Sequence, residues 1–415
     1  MLMIRFVRGA VMTAALLGLS LVATGCWNRI ELNELAITSA TGIDWDGHNW
    51  IVSYQVLIPA AISAGVGTTG GGTPQSPVIV YSTKGKSIRE AMMHSYSESP
   101  RKLFYAHNRV VILSEEVARR GFNELLDVYF RNSGPRETVS MLVTPGKARR
   151  ILEQFMQLQI IPGEGMKDII TSEARNSSIL PNVPVYQMAM DLTSDAKSGV
   201  LPEIFISGTE DTSTLDAFTH TTIPSKLKLG RLAIMREDHM IGWMNRKQSL
   251  GVSFLRNEVK QTTIAIPCTD EEGHSGFDTI LIQQSSTKLK PKLNEGKLGY
   301  TAEVHASGTL SESDCAQNLY KTSVTQKLES SGGQQLQAII DGAWKQGQQM
   351  KTDVFGAAEK AHRKYPKAWK QWSQDWGSVF AEAPLETKVH LRITRMGLSN
   401  KSFQYLTEQG QKKGR

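Results

Sequence analysis

From Gly9 to Asn28 the chain carries no charged side chain, and this run of 20 residues follows a short leader whose charged side chains are Arg5 and Arg8. A bilayer core of about 30 Å takes about 20 apolar residues of helix to cross, so the segment is long enough to anchor a protein. Its end argues for processing instead. Ala23-Thr24-Gly25-Cys26 places small residues directly before a cysteine, the kind of sequence a signal peptidase accepts in its narrow cleft. Residues 1–25 are therefore expected to be a signal peptide, and everything after them is expected outside the cytoplasm.

The same four residues resemble a bacterial lipobox, which implies a diacylglyceryl group on the Cys26 thiol and cleavage just ahead of it. A single acyl chain gives marginal membrane binding, whereas two chains at about 0.8 kcal/mol per buried CH₂ hold a protein stably. Trp27 beside the lipid suits the headgroup level. The two remaining cysteines, Cys268 and Cys315, stand 47 positions apart. Export would permit them to pair, but a domain of this size does not require a bridge, and two separate buried thiols are the favoured reading.

With 415 residues, 40% of them hydrophobic and 21% charged, the chain can bury a core and is expected to form two or three domains. Its 47 basic against 40 acidic side chains give a net charge of +7, spread without an Arg-rich block or interleaved aromatics. Nucleic acid is therefore not an expected partner.

Period-two alternation through Trp50, Val52, Tyr54, Val56 and Ile58 predicts a half-buried strand, paired with a strand over Ala36 to Ala40 across the turn from Gly42 to Gly47. Gly65 to Pro74 contains the letters of a G-x-G-x-x-G motif, but Pro74 and Pro77 follow where a helix should open, so an exposed loop is expected. Strands and helices then alternate. Ser87 to Glu98 reads as a helix with Ile88, Ala91, Met92 and Tyr96 inward. Ser114 caps another helix, whose first turn holds Glu115 and Glu116. Further helix is expected from Ala148 to Gln159. An N-terminal α/β domain over residues 26–208 is thus expected, then a linker over 209–222 and a C-terminal α+β domain over 223–415, subdivided near 250. In the second half, strands over Lys228 to Met235, Met240 to Met244, Phe277 to Leu289 and Leu298 to Ala306 precede a long helix from Asp314 to Met350, interrupted or kinked at Gly332-Gly333. Trp369, Trp372, Trp376 and Phe380 recur at helical spacing and are expected to pack against a sheet. A last strand is expected over Thr387 to Arg395. The fold class is α+β, with mixed sheets, flanking helices, and strands followed by long helices in the second half.

No catalytic constellation stands out. The nine histidines are scattered, with no H-E-x-x-H and no pair at metal-ligand spacing, so no metal site and no cofactor are expected. Gly273-His274-Ser275-Gly276 lacks the G-x-S-x-G elbow, and Asp270-Glu271-Glu272 reads as a solvated acidic turn. The basic run Lys360, Arg363, Lys364, Lys367 and Lys370 reads as a solvated face. The chain is not expected to be an enzyme.

Several segments carry a resemblance. Cys26-Trp27-Asn28-Arg29-Ile30-Glu31-Leu32-Asn33-Glu34-Leu35 and Gly42-Ile43-Asp44 come first. Gly85-Lys86-Ser87-Ile88-Arg89-Glu90-Ala91, Arg101 to Asn108, and Glu116 to Gly121 follow. Then come Gly230-Arg231-Leu232-Ala233-Ile234, Gly242-Trp243-Met244, Asp353-Val354-Phe355-Gly356 and Tyr365-Pro366-Lys367-Ala368-Trp369. In this order they resemble the Ger(x)C family, the lipoprotein C subunit of bacterial spore germinant receptors. The resemblance implies a lipid-anchored protein on the outer surface of the spore inner membrane, working with a multispanning A subunit and a transporter-like B subunit. It implies no catalytic or ligand residues; Cys26 alone is carried over, as lipid acceptor. A solute-binding lipoprotein delivering a nutrient to a transporter is the alternative, and it would require two similar lobes around a cleft.

Overall fold

A computed structural model describes residues 2–22, 31, 34–64, 75–132, 134–208, 212–215, 221, 225–269, 273–315, 318–319, 321–395 and 402–406. Cys26 and most of the opening signature, the glycine-rich loop 65–74, the acidic 270–272 and most of the expected linker 209–222 lie outside the described residues. Helix α1 (Leu2–Val22) lies within the expected export signal. Among the described residues no helix is long and apolar enough to cross a membrane.

The fold is α+β, built on two sheets. Strands β1 (Leu35–Trp45) and β2 (Trp50–Leu57) form the expected hairpin, closed by Asp46, whose Oδ1 accepts the amides of His48 and Asn49 at 3.1 and 2.8 Å. After α2 (Pro59–Ala64), β3 (Val78–Gly85) adds to the outer edge of β2. Ser87 then caps α3 (Ile88–Glu98), accepting the amide of Glu90. Tyr96 departs from the expected inward stripe: it is exposed, and Ser95 takes the buried position. The short β4 (Lys102–Phe104) lies parallel to the start of β1, and β5 (Val110–Ser114) pairs with β1 further along. All five residues of β5 are buried, as are all five of β6 (Ser140–Thr144), which is why these strands read as apolar runs without alternation.

Ser114 caps α4 (Glu115–Arg120) as expected, and α5 (Asn123–Arg131) follows. The helix expected from Ala148 stops early: α6 (Ala148–Leu152) ends at a loop leading to α7 (Pro162–Asn176), and α8 (Val185–Thr193) precedes β7 (Ser198–Gly208). Strands β8 (Ser225–Arg236) and β9 (His239–Met244) complete the first sheet, in the order β3-β2-β1-β5-β6-β7-β8-β9. Residues 209–222 thus join two antiparallel neighbours within one sheet.

The second sheet follows α9 (Arg246–Leu255), in which every residue from Ser249 to Leu255 is buried. Its order is β10-β11-β12-β13, formed by β10 (Thr262–Thr269), β11 (Ser275–Asn294), β12 (Lys297–Ser313) and β13 (Leu385–Arg395). The first three are antiparallel. β13 runs parallel to β12 because the chain returns through α10 (Thr322–Gln349), α11 (Ala357–Lys364), α12 (Pro366–Trp372) and α13 (Trp376–Glu382). The long helix is not interrupted at Gly332-Gly333, and α10 runs through both glycines. A Cβ on Gly332 would come within 2.4 Å of Leu391 and 3.0 Å of Ile266, so the glycine serves close approach of helix to sheet. The expected tryptophan helix is two helices joined by a 3₁₀ turn, yet Trp369, Trp376 and Phe380 are buried as expected. One continuous apolar core runs through both sheets.

Candidate functional site

The segments that carry the sequence signature converge on buried polar joints. Asp44 at the end of β1 accepts the amides of Ala148 and Arg149 at 2.8 and 3.1 Å, so it caps α6 across 104 positions of sequence. Burial pushes its carboxyl up from the ordinary aspartate value, against the pull of those two amides. Further across the sheet, Arg231 on β8 holds the buried Glu203 carboxylate of β7 and lays its guanidinium 4.3 Å from the centre of the Trp243 ring on β9. One ion pair and one cation–π contact thereby lock three adjacent strands.

A third joint connects the halves. Asp353 sits between α10 and α11, fully enclosed, and accepts the amides of Phe355, Ala357 and Ala358 and the indole N–H of Trp376. Its backbone carbonyl accepts the hydroxyl of Ser198 at the start of β7. Close by, Arg256 bridges Asp191 of α8 and Glu258, at 3.3 and 2.9 Å. His362 of α11 lies 2.8 Å from Asp195. Asp191, Ser198, Arg256, Glu258 and Asp353 border a cavity of about 240 Å³ between the α8–β7 connection and the Asp353 turn. The polar atoms are satisfied mainly by one another, which suits a rigid joint rather than a reaction centre.

An open groove of about 940 Å³ is bordered by α3, α5, α8 and the β8–β9 turn. Leu126, Leu192 and the half-exposed Phe130 give it an apolar wall, and Arg89, Lys197, Asp127 and Glu237 bring both signs of charge to its edges. Ser87 in its lining is already committed to capping α3. Among the described residues, neither histidine nor cysteine lines it. Such a surface can hold an extended or helical segment by apolar contact with charged edges; it presents no nucleophile beside a general base. The groove was not foreseen from the sequence, since its walls come from positions more than 100 residues apart.

Of the residues singled out from the sequence, Cys26 lies outside the described residues. Cys268 and Cys315 form a disulfide with Cα atoms 6.2 Å apart, a correction to the favoured reading of two separate thiols. The reason is register. Cys268 stands opposite Gly276 at the start of β11, and Ser313 at the end of β12 stands opposite Asp278, so both cysteines arrive at the same end of the sheet. The basic run on α11 and α12 is largely exposed, as expected, with Lys364 donating to the Pro291 carbonyl at 2.7 Å. Among the described residues, Glu303, His305 and His390 bring three metal-ligand atoms within 4.8 Å of one another, a grouping the sequence spacing did not reveal.

Comparison with known proteins matches two stretches of the chain. Residues 28–206 match the family described as spore germination protein N-terminal domain, and residues 230–397 match that described as spore germination B3/GerAC like, C-terminal. The chain is 26% identical over 408 residues to spore germination protein KC of Bacillus subtilis (strain 168), covering 96% of this chain and 98% of that protein. Spore germination protein B3 of the same organism is 21% identical over 387 residues, covering 92% and 96%. Among solved structures, the crystal structure of the GerBC protein matches with a TM-score of 0.54 at 16% identity, over 85% of this chain and 96% of that one, which is a likeness of fold.

Proposed function

The chain belongs to the GerAC-like family of spore germination proteins, and from that premise we propose that it is the lipid-anchored C subunit of a nutrient germinant receptor. In this reading a diacylglyceryl group on Cys26 holds it on the outer surface of the spore inner membrane, where it assembles with membrane-embedded A and B subunits. The observation that carries the proposal is the match of both family parts, in order, along nearly the whole chain, with relatives of the same length.

Physical reasoning supports the division of labour. β1 begins at Leu35, nine residues after Cys26, and at most about 3.6 Å per residue that linker reaches roughly 30 Å. A domain confined so close to a bilayer meets its membrane partners at high effective concentration, so shallow grooves and weak contacts suffice. The 940 Å³ groove offers recognition without reaction chemistry, which fits an assembly or signalling subunit. We further propose that the chain divides into an N-terminal domain over residues 26–208, a linker over 209–222 and a C-terminal domain over 223–415, the last subdivided near 250, where the chain leaves the first sheet through α9.

The experiment is a deletion strain whose spores are scored for loss of refractility in nutrients. Loss of the nutrient response, restored by the wild-type gene, supports the proposal. Normal nutrient germination together with nutrient-dependent thermal stabilisation of the purified protein would favour a solute-binding role instead.

A further inference from the structure

The water-facing side of the second sheet carries a group of side chains that the proposed assembly does not use. His305 on β12 and His390 on β13 are direct partners in the parallel ladder, and their rings stack with centroids 4.8 Å apart and planes 17° apart. Glu303 lies two residues before His305 and therefore on the same face, with Oε1 3.2 Å from His305 Nε2. Each of the three residues contributes one ligand atom to a cluster in which all lie within 4.8 Å of one another.

Two imidazole nitrogens and a carboxylate oxygen are the donor set that borderline divalent cations prefer, and hard cations such as Mg²⁺ do not. Tetrahedral zinc, with bonds of about 2.0–2.2 Å, wants its donors roughly 3.3 Å apart. The cluster must therefore close by an ångström or so. The side chains can do this, because His305 is 55% exposed and Glu303 35% exposed, so rotation displaces solvent rather than packing. Neighbouring cations leave the site available: Lys290 reaches Glu303 through Oε2 at 3.4 Å, and Lys388, opposite Glu303 in the ladder, is paired with Glu386 at 3.1 Å.

We propose that Glu303, His305 and His390 form a surface site for a zinc-class divalent cation, with water completing its coordination. Because β13 is the edge strand of the second sheet, the bound ion ties that edge to β12. The inference stands on the sheet alone and is independent of the lipid anchor.

The test uses the full-length chain in detergent, without a histidine tag. Zinc bound per chain is counted by equilibrium dialysis, and hydrogen exchange of β13 is followed with and without zinc. His305→Ala and His390→Ala are each expected to weaken binding by at least about tenfold, Glu303→Gln by less, and His48→Ala, in the β1–β2 turn, not at all. Zinc is expected to slow exchange along β13 in the wild type and not in the double histidine variant. Wild-type zinc binding retained by the double variant, or absent at micromolar zinc from the wild type, would overturn the proposal.

Discussion

The Arg231 guanidinium forks onto the Glu203 carboxylate, with Nη2 2.6 Å from Oε1 and Nε 3.0 Å from Oε2, and the Glu203 side chain is only 5% exposed. Replacing the Arg231 side chain leaves a buried carboxylate whose remaining donor, among the described residues, is the backbone amide at position 231. Breaking a fully buried pair costs about 3–5 kcal/mol, and because Arg231 is half in water, Arg231→Met is expected to cost about 2 kcal/mol. Urea denaturation measures it; an unchanged midpoint would mean that the pair does not hold β7 to β8.

Asp353 carries more of the second half than any other single polar group described above. Its two oxygens take three backbone amides and an indole N–H that Asp353→Ala would leave buried without a partner. At about 1–3 kcal/mol for each orphaned donor, reduced by relaxation, the variant is expected to lose on the order of 4 kcal/mol. Trp376 fluorescence should change alongside, since the indole loses its acceptor. Wild-type stability together with an unshifted emission spectrum would refute this role.

Gly251 faces α10 at close range: a Cβ there would lie 2.5 Å from the Ala343 Cβ and 2.6 Å from the Ile339 carbonyl oxygen. Gly251→Ala gains about 1 kcal/mol of helix propensity. Overpacking costs about 1–3 kcal/mol, and here the obstacles are a Cβ and a backbone carbonyl, neither of which can swing aside. Net destabilisation of up to about 2 kcal/mol is expected by chemical denaturation, and a stabilised variant would show the two helices to be less tightly packed.

The same helix explains what could be read in advance. The β1–β2 hairpin, the serine caps of α3 and α4 and the long strands β11 and β12 were legible because each is local: alternation, a capping hydroxyl, a turn. α9 left no amphipathic stripe, since all of Ser249 to Leu255 are buried and a helix enclosed on every side has no periodic face. β10 was missed as well. The disulfide and the histidine pair depend on register. His305 and His390 are 85 positions apart in sequence and adjacent only because α10 to α13 return the chain in parallel to β12. The groove draws on three helices and a turn from separate parts of the chain, and nothing local marks its lining.

Glu386 sets a pH dependence. Hydrogen bonding from Lys292 at 2.6 Å, then from Lys388, holds its carboxyl at about 2 against an ordinary value of 4.5. Between these values the unfolded chain binds more protons than the folded one, so the stabilisation is complete above 4.5 and is lost as pH falls through about 2. Carbon-detected NMR titration of Glu386 is expected to move up toward the ordinary glutamate range in Lys292→Met. A titration that stays put would assign the shift to another cause.

Whether Cys26 carries lipid decides the account most directly, and intact mass spectrometry of the mature chain recovered from membranes reads it. The expected result is a chain beginning at Cys26 with the added mass of a diacylglyceryl group, and a Cys26→Ala protein that folds but leaves the membrane fraction. A native chain with a free Cys26 thiol, released in soluble form while nutrient germination proceeds normally, would contradict it.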